Sequence, residues 1–277
     1  MKSMRQTANI GLTAMAVFAF AVGSAQADTR DMTLDDAEHE SLLPPGAWKL
    51  VFHDEFNGTE EELDQTWEFQ NGPSGHILCS RWRENAVLGD GVLRLNARKE
   101  QRGGQEWTAA NLWTQRKFMY GYFECRYRYA KATGTNNSFW LMTRDIPSDA
   151  PGRFEIDINE GHYPNKVNSC IHNWSGTHWA KGKHMTIDGA NLADEFHTYG
   201  LEWNEDELIW YFDGKEIRRE ENTICHGEAP VWLSLAIMDW AGPVTEAIDG
   251  TFMEVDYVRV FQLDEPEQNE PDTGDGQ

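Results

Sequence analysis

Arg153-Phe154-Glu155-Ile156-Asp157-Ile158-Asn159-Glu160-Gly161-His162 is the segment of this chain best able to do chemistry. Phe154, Ile156 and Ile158 alternate with Glu155 and Asp157, so a strand here has one apolar face and one acidic face. The apolar face must be buried, which turns the acids to the opposite surface. Strict alternation would send Glu160 inward with Ile158, a costly place for a charge. One extra residue, a β-bulge at Ile158-Asn159, returns Glu160 to the acidic face. Three carboxylates then stand along one strand. Their repulsion lowers stability, and a purely structural strand gains nothing from it. Acid–base chemistry does gain: repulsion keeps one carboxyl protonated near neutral pH while another stays ionised. Cleavage of a glycosidic bond needs that division, one acid protonating the leaving oxygen and one carboxylate attacking the anomeric carbon. A solvated acidic face or a calcium-binding strand is the competing reading.

The elements that would position these acids are short and alternating. Val92 to Ala97 follows the turn Gly89-Asp90-Gly91, and Tyr122 to Tyr129 alternates bulky with charged residues. Leu208 to Phe212 runs through Asp213-Gly214 into Lys215 to Arg218, a strong two-residue hairpin signal. Val231 to Met238 and Phe252 to Phe261 complete the set. No apolar period near 3.6 is sustained, and β-branched and aromatic residues dominate. The expectation is an all-β sandwich or barrel, in one domain, without internal repeats.

The ends read differently. Lys2 and Arg5, the apolar run Ile10 to Val22 and the small residues Ala25-Gln26-Ala27 have the layout of a secretory signal over residues 1–27. That run is shorter than the roughly 20 residues needed to span a bilayer. Residues 28–44 form an acidic segment and residues 264–277 an acidic tail, both expected to be solvated and mobile, flanking a catalytic domain over 45–263. A secreted or periplasmic monomer is expected. Formal charge is −22, which argues against nucleic acid and anionic membrane as partners but does not exclude an anionic polysaccharide, since a few arginines in a cleft can dominate the local field. Cys79, Cys125, Cys170 and Cys225 permit up to two disulfides in an exported chain, but their wide spacing fits no zinc pattern. Cys125 shares a face with Phe123 and Tyr127 and reads as a buried free thiol.

Twelve tryptophans suit a cleft that stacks rings on sugars, although tryptophan in an all-β protein is more often core. Trp113 and Trp174 are candidates for substrate contact, whereas Trp203, Trp210 and Trp232 lie in alternating strands and read as packing. His172 shares a face with Trp174 and could contact substrate, orient a carboxylate, or be purely structural. Arg144, Arg83, His162 and His178 are candidate polar contacts.

Glu155-x-Asp157-x-x-Glu160 resembles the bulged signature of glycoside hydrolase family 16. The likeness extends over most of the chain, through His53-Asp54-Glu55-Phe56-Asn57-Gly58, Lys117 to Arg126, Phe139-Trp140-Leu141 and Asp256-Tyr257-Val258-Arg259-Val260. It implies a β-jelly-roll sandwich of the concanavalin A-like kind, with an open substrate cleft on its concave sheet. It implies Glu155 as nucleophile, Glu160 as general acid/base, Asp157 as the residue tuning the pair, and Trp140 as a subsite tryptophan. The reaction implied is hydrolysis with retained configuration and needs no cofactor. Some members hold a structural calcium through an aspartate in the closing strand plus main-chain carbonyls, which maps to Asp256, Glu55 and Gly91. The chain departs from the lichenase branch, whose motif is unbulged and whose cysteine corresponding to Cys79 has a partner absent here.

The bulged motif is common to β-1,3-glucanases and to the red-algal galactan enzymes (agarases, porphyranases and carrageenases). Glucanases usually carry Pro-Ala-Phe-Trp before the catalytic strand, whereas Asn136-Asn137-Ser138-Phe139-Trp140-Leu141-Met142-Thr143-Arg144-Asp145 is similar to the agarase-like run. The expectation is therefore an endo-β-glycosidase leaning to a galactan. A β-1,3-glucanase, or a non-catalytic carbohydrate-binding protein on the same fold, is the alternative.

Overall fold

Alternation of apolar and polar residues, broken by glycine and aspartate turns, is realised as antiparallel strands. The computed structural model describes residues 39–147 and 150–264, and the expected signal segment lies outside them. The strands begin with β1 (Trp48–Asp54), β2 (Trp67–Phe69), β3 (Cys79–Arg81), β4 (Ala86–Gly89), β5 (Val92–Asn96) and β6 (Trp107–Ala109). There follow β7 (Asn111–Phe118), β8 (Gly121–Arg128), β9 (Thr135–Met142), β10 (Phe154–His162), β11 (Lys166–Asn173) and β12 (Trp179–Thr186). The last are β13 (His197–Trp203), β14 (Glu207–Phe212), β15 (Lys215–Glu221), β16 (Ala229–Ile237) and β17 (Phe252–Leu263). One short helix, α1 (Glu60–Thr66), was not expected. Its start is written in the sequence all the same, because Thr59 and Glu62 close a capping box.

Two large sheets form a sandwich, consistent with the jelly roll. One runs β15-β14-β13-β8-β17-β5-β4, with β1 also on β17. The other, which carries the acids, runs β12-β11-β10-β9-β16-β7-β2. Leu93, Phe123, Cys125, Val255 and Val260 from the first sheet share one core with Phe139, Leu141, Phe154, Ile156 and Leu233 from the second. The hairpin at Asp213-Gly214 is present, with both residues at positive φ. Trp203 and Trp210 are fully buried, as packing requires. All four cysteines are free, and Cys125 is buried.

The outer face of the first sheet revises one expectation. Residues 39–44, read as part of a mobile segment, are tied down. Leu42 N donates to Glu124 Oε2 at 2.8 Å, Tyr122 OH donates to Leu42 O, and Arg259 Nη1 donates to His39 O and to Ser41 Oγ. Glu124 and Arg259 have no exposed surface. Buried charges need partners, and this backbone supplies several of them.

Candidate active site

β10 carries the three acids, and its apolar face (Phe154, Ile156) lies in the core. Against β9, Asp157 pairs with Trp140 and Asn159 with Phe139, so Ile158 is the extra residue of a bulge. This is where the sequence required one. Beyond it Asn159 points inward, its Nδ2 donating to Tyr127 OH at 2.6 Å and Tyr129 OH at 2.9 Å. Asn159 Oδ1 accepts from Asn168 N. Gly161 follows against the Tyr129 ring, where a Cβ would fall 2.2 Å from a ring carbon. Asn137, on the inner face of β9, donates to Gly161 O at 2.9 Å. The bulge is thus braced from below, and Glu160 emerges on the same face as Glu155 and Asp157.

Each carboxylate is held differently. Glu155 Oε2 accepts from Trp174 Nε1 at 2.7 Å. Glu160 Oε1 accepts from Asn136 Nδ2 at 2.7 Å. Asp157 is 2% exposed, and its Oδ2 has no hydrogen-bond partner. His172 Nε2 lies 3.1 Å from that oxygen, but the ring N–H is not aimed at it. Burial, then the charges of Glu160 and Glu155, push the Asp157 carboxyl well above the usual range. Glu160 is also raised, first by burial; the Asn136 bond works the other way and the charge of Glu155 adds to the rise. The action of the Glu155 charge on Glu160 places the two glutamates within electrostatic reach of each other.

A row of rings extends along the same face. Trp140 stacks on Trp232 and Trp232 packs on Trp113, each pair with centroids 4.6 Å apart, and the Arg144 guanidinium lies 4.0 Å over Trp113. Trp232, read as packing from sequence, belongs to this row. On β16 the inward positions are Val231, Leu233 and Leu235, while Trp232 shares its face with Ser234. The polar serine two residues on was the available signal.

On the other side of β10, Trp174 stacks with His178 at 4.0 Å, and the two histidines bond through His172 Nδ1 and His178 Nε2 at 3.1 Å. Trp174 therefore holds Glu155 as well as flanking it, and His172 lies beside Asp157. His162 packs edge-on to the exposed Trp240, which sequence reading passed over. Burial lowers the His162 pKa to about 4, with help from His184. Arg83 is engaged elsewhere, paired to Glu60 and Asp64 of α1. Asn136 Oδ1, Trp140 Nε1, Asp157 Oδ2 and His162 Nε2 are buried atoms without partners. All four belong to residues on this one face, in β9 and β10. Buried polar atoms left unpaired are expensive, and a hydroxyl-rich ligand would satisfy them.

Asp256, Glu55 and Gly91 do line one cavity, with His39, Asn57, Asp90 and Arg126. Arginines already engage two of its carboxylates. Asp256 Oδ2 accepts from Arg126 Nη1 at 2.6 Å, and both Glu55 oxygens accept from Arg259. A dication would share its only side-chain carboxylate of the expected set with the Arg126 guanidinium.

Residues 76–259 match the profile of the glycosyl hydrolases family 16. The chain belongs to that family. It is 33% identical over 190 residues to the endo-1,3-1,4-beta-glycanase EglC of Rhizobium meliloti, covering 63% of this chain and 39% of that protein. It is 33% identical over 182 residues to a beta-glucanase of Rhodothermus marinus, covering 60% of this chain and 63% of the relative. The chain thus spans less than two thirds of the length of these relatives. Among solved structures, the non-specific endo-beta-1,3(4)-glucanase SCLam superposes with a TM-score of 0.70 at 30% identity, covering 81% of this chain and 95% of that one.

The relatives quoted carry glucanase or glycanase names, which lie with the β-glucanase alternative and lend no support to the lean to a galactan. That lean rested on the Asn-Asn-Ser run. Asn137 points inward, accepting from Ala130 N and donating to Gly161 O, and Asn136 donates to Glu160. Asn137 therefore braces the strand of the acids, and Asn136 positions Glu160 through Nδ2 while its Oδ1 stays unpaired on the cleft face.

Proposed function

We propose that this chain is a secreted, monomeric, retaining endo-β-glucanase that hydrolyses β-1,3 or mixed β-1,3/1,4 linkages. The observation that carries the reading is the trio Glu155, Asp157 and Glu160 on one braced strand, beside a row of stacked tryptophans. The glucan names of the relatives supply the substrate class. Glu155 is the nucleophile: Trp174 occupies Oε2, which leaves Oε1 to attack the anomeric carbon. As that bond forms, the bond to the leaving oxygen breaks, and Glu160 gives that oxygen its proton. Water then attacks the glycosyl ester, yielding its proton to Glu160 and releasing Glu155. Asp157 holds a proton near Glu155 while the nucleophile is engaged and keeps the local charge from rising. Trp140, Trp232, Trp113 and Arg144 supply the sugar platform on one side of the acids, and His172 and Trp174 flank the other. Carboxylates run both half-reactions, so the chemistry calls for no cofactor.

The test is a panel of polymers with purified protein. Laminarin and mixed-linkage β-glucan should yield short oligosaccharides, while agarose, porphyran and carrageenans should yield none. Glu155→Gln should lower the rate by about a thousandfold or more while the variant stays folded. Cleavage confined to a galactan would overturn the substrate. Glucan binding with no release of reducing ends would make this a binding protein.

A further inference from the structure

Cys170 stands directly opposite Asp157 in the β10–β11 register, and His172 stands opposite Glu155. Asp157, Cys170 and His172 each offer one donor atom, and the three atoms lie within 4.8 Å of one another. We infer that Asp157 Oδ2, Cys170 Sγ and His172 Nε2 form a site for a borderline-soft divalent cation, Zn²⁺ above all, whose occupation shuts the cleft off.

The donor set is that of zinc: a thiolate, an imidazole and a carboxylate, with room for water as a fourth ligand. A tetrahedral ion needs its ligand atoms a little closer than 4.8 Å, a contraction that side-chain rotation can supply. The imidazole is already oriented. If His172 Nδ1–H donates to His178 Nε2, Nε2 is left as an unprotonated donor atom 3.1 Å from Asp157 Oδ2. Two acceptors so close need a proton or a cation between them, and Oδ2 is buried without a hydrogen-bond partner. Gly182 pairs with Cys170 on the far side, and even an added Cβ there would reach only 3.5 Å from Sγ, so the thiol is not crowded by a side chain. Cys79, Cys125 and Cys225 are buried, leaving Cys170 as the partly exposed thiol. Sequence spacing hid this site, because two donors come from one strand and the third from its cross-strand neighbour.

The consequence for activity follows from place. An ion on Asp157 sits between Glu155 and Glu160, removes the proton that Asp157 would hold, and puts two positive charges where Glu160 must donate one. The inhibitory half of the inference rests on the proposed hydrolysis; the binding half does not. Three measurements on the full chain decide it. Titrated with Co²⁺, the wild type should develop a thiolate-to-metal charge-transfer band, and calorimetry with Zn²⁺ should give one ion per chain. Cys170→Ser should lose the band and keep its metal-free rate on laminarin. Zn²⁺ should inhibit the wild type, Mg²⁺ should not, and Cys170→Ser should need on the order of tenfold more Zn²⁺ or above. No cobalt band in the wild type, or a band kept in Cys170→Ser, overturns the site. Equal zinc sensitivity of the two proteins overturns the switch. The cobalt spectrum reads the site even in a protein that hydrolyses no glucan.

Discussion

Asp157 is almost removed from solvent and yet faces two other carboxylates. Burial first, and the charges of Glu160 and Glu155 next, raise its pKa. For an acid whose folded pKa lies above its unfolded value, the folded state binds the extra proton. The stability this provides is complete below the unfolded value of about 3.9 and is lost as pH rises through the folded value. At neutral pH, Asp157 therefore weighs on the fold. Asp157→Asn removes the charge at nearly constant shape. It should unfold at a temperature a few degrees above wild type at pH 7, on a scale of about 2–4 °C per kcal/mol for a domain of this size. The gain should vanish near pH 3, where wild type is protonated in both states. Thermal melts across that range check it; an Asn variant less stable than wild type at pH 7 would mean that the charge is compensated. The same variant should hydrolyse laminarin more slowly, because a site that serves chemistry trades stability for it.

At the scale of elements, the bulge on β10 decides which acids share a face. Asn159 holds it with three hydrogen bonds, to two tyrosine hydroxyls and to the Asn168 backbone. Asn159→Ala takes the Oδ1 acceptor from Asn168 N and one bond from each hydroxyl. The hydroxyls keep their bonds to Asn137 O and Lys166 O, and each group left unpaired costs about 1–3 kcal/mol. We expect a total loss of about 2–4 kcal/mol in urea unfolding, with a fall in kcat larger than any change in KM, since Glu160 is displaced while the ring platform is not. An unchanged kcat would show that the bulge stands without Asn159. Much of this element was legible beforehand. The alternation of Phe154, Ile156 and Ile158 fixed the acidic face, and the cost of burying Glu160 required the bulge. What could not be read was the neighbour across each strand. Trp232 joins the ring row because β16 lies beside β9, and Cys170 meets Asp157 because β11 pairs in that register. Pairing partners are set by the whole sheet, and alternation within one strand carries no information about them. Helix α1 is too short for an apolar period, so only its capping box announced it.

At the scale of the whole molecule, two faces of one sandwich do different work. The face with the carboxylates leaves polar atoms unpaired, whereas the outer face of the other sheet satisfies buried Glu124 and Arg259 with residues 39–44. A chain shortened to begin at Pro44 should lose about 1–3 kcal/mol of stability in urea, water replacing part of what is removed. Its rate per folded molecule should not change, because none of the contacts given above for residues 39–43 involves the acids of β10. A fall in that rate at full folding would mean that the two faces are coupled. The claim on which all the rest depends is that Glu155 attacks the sugar directly while Glu160 serves as acid and then base. Proton NMR of the first product released from laminarin tests it most directly. Double displacement predicts that the new reducing end appears as the β-anomer and only later mutarotates. An α-anomer appearing first would mean that water, and not Glu155, attacks the anomeric carbon.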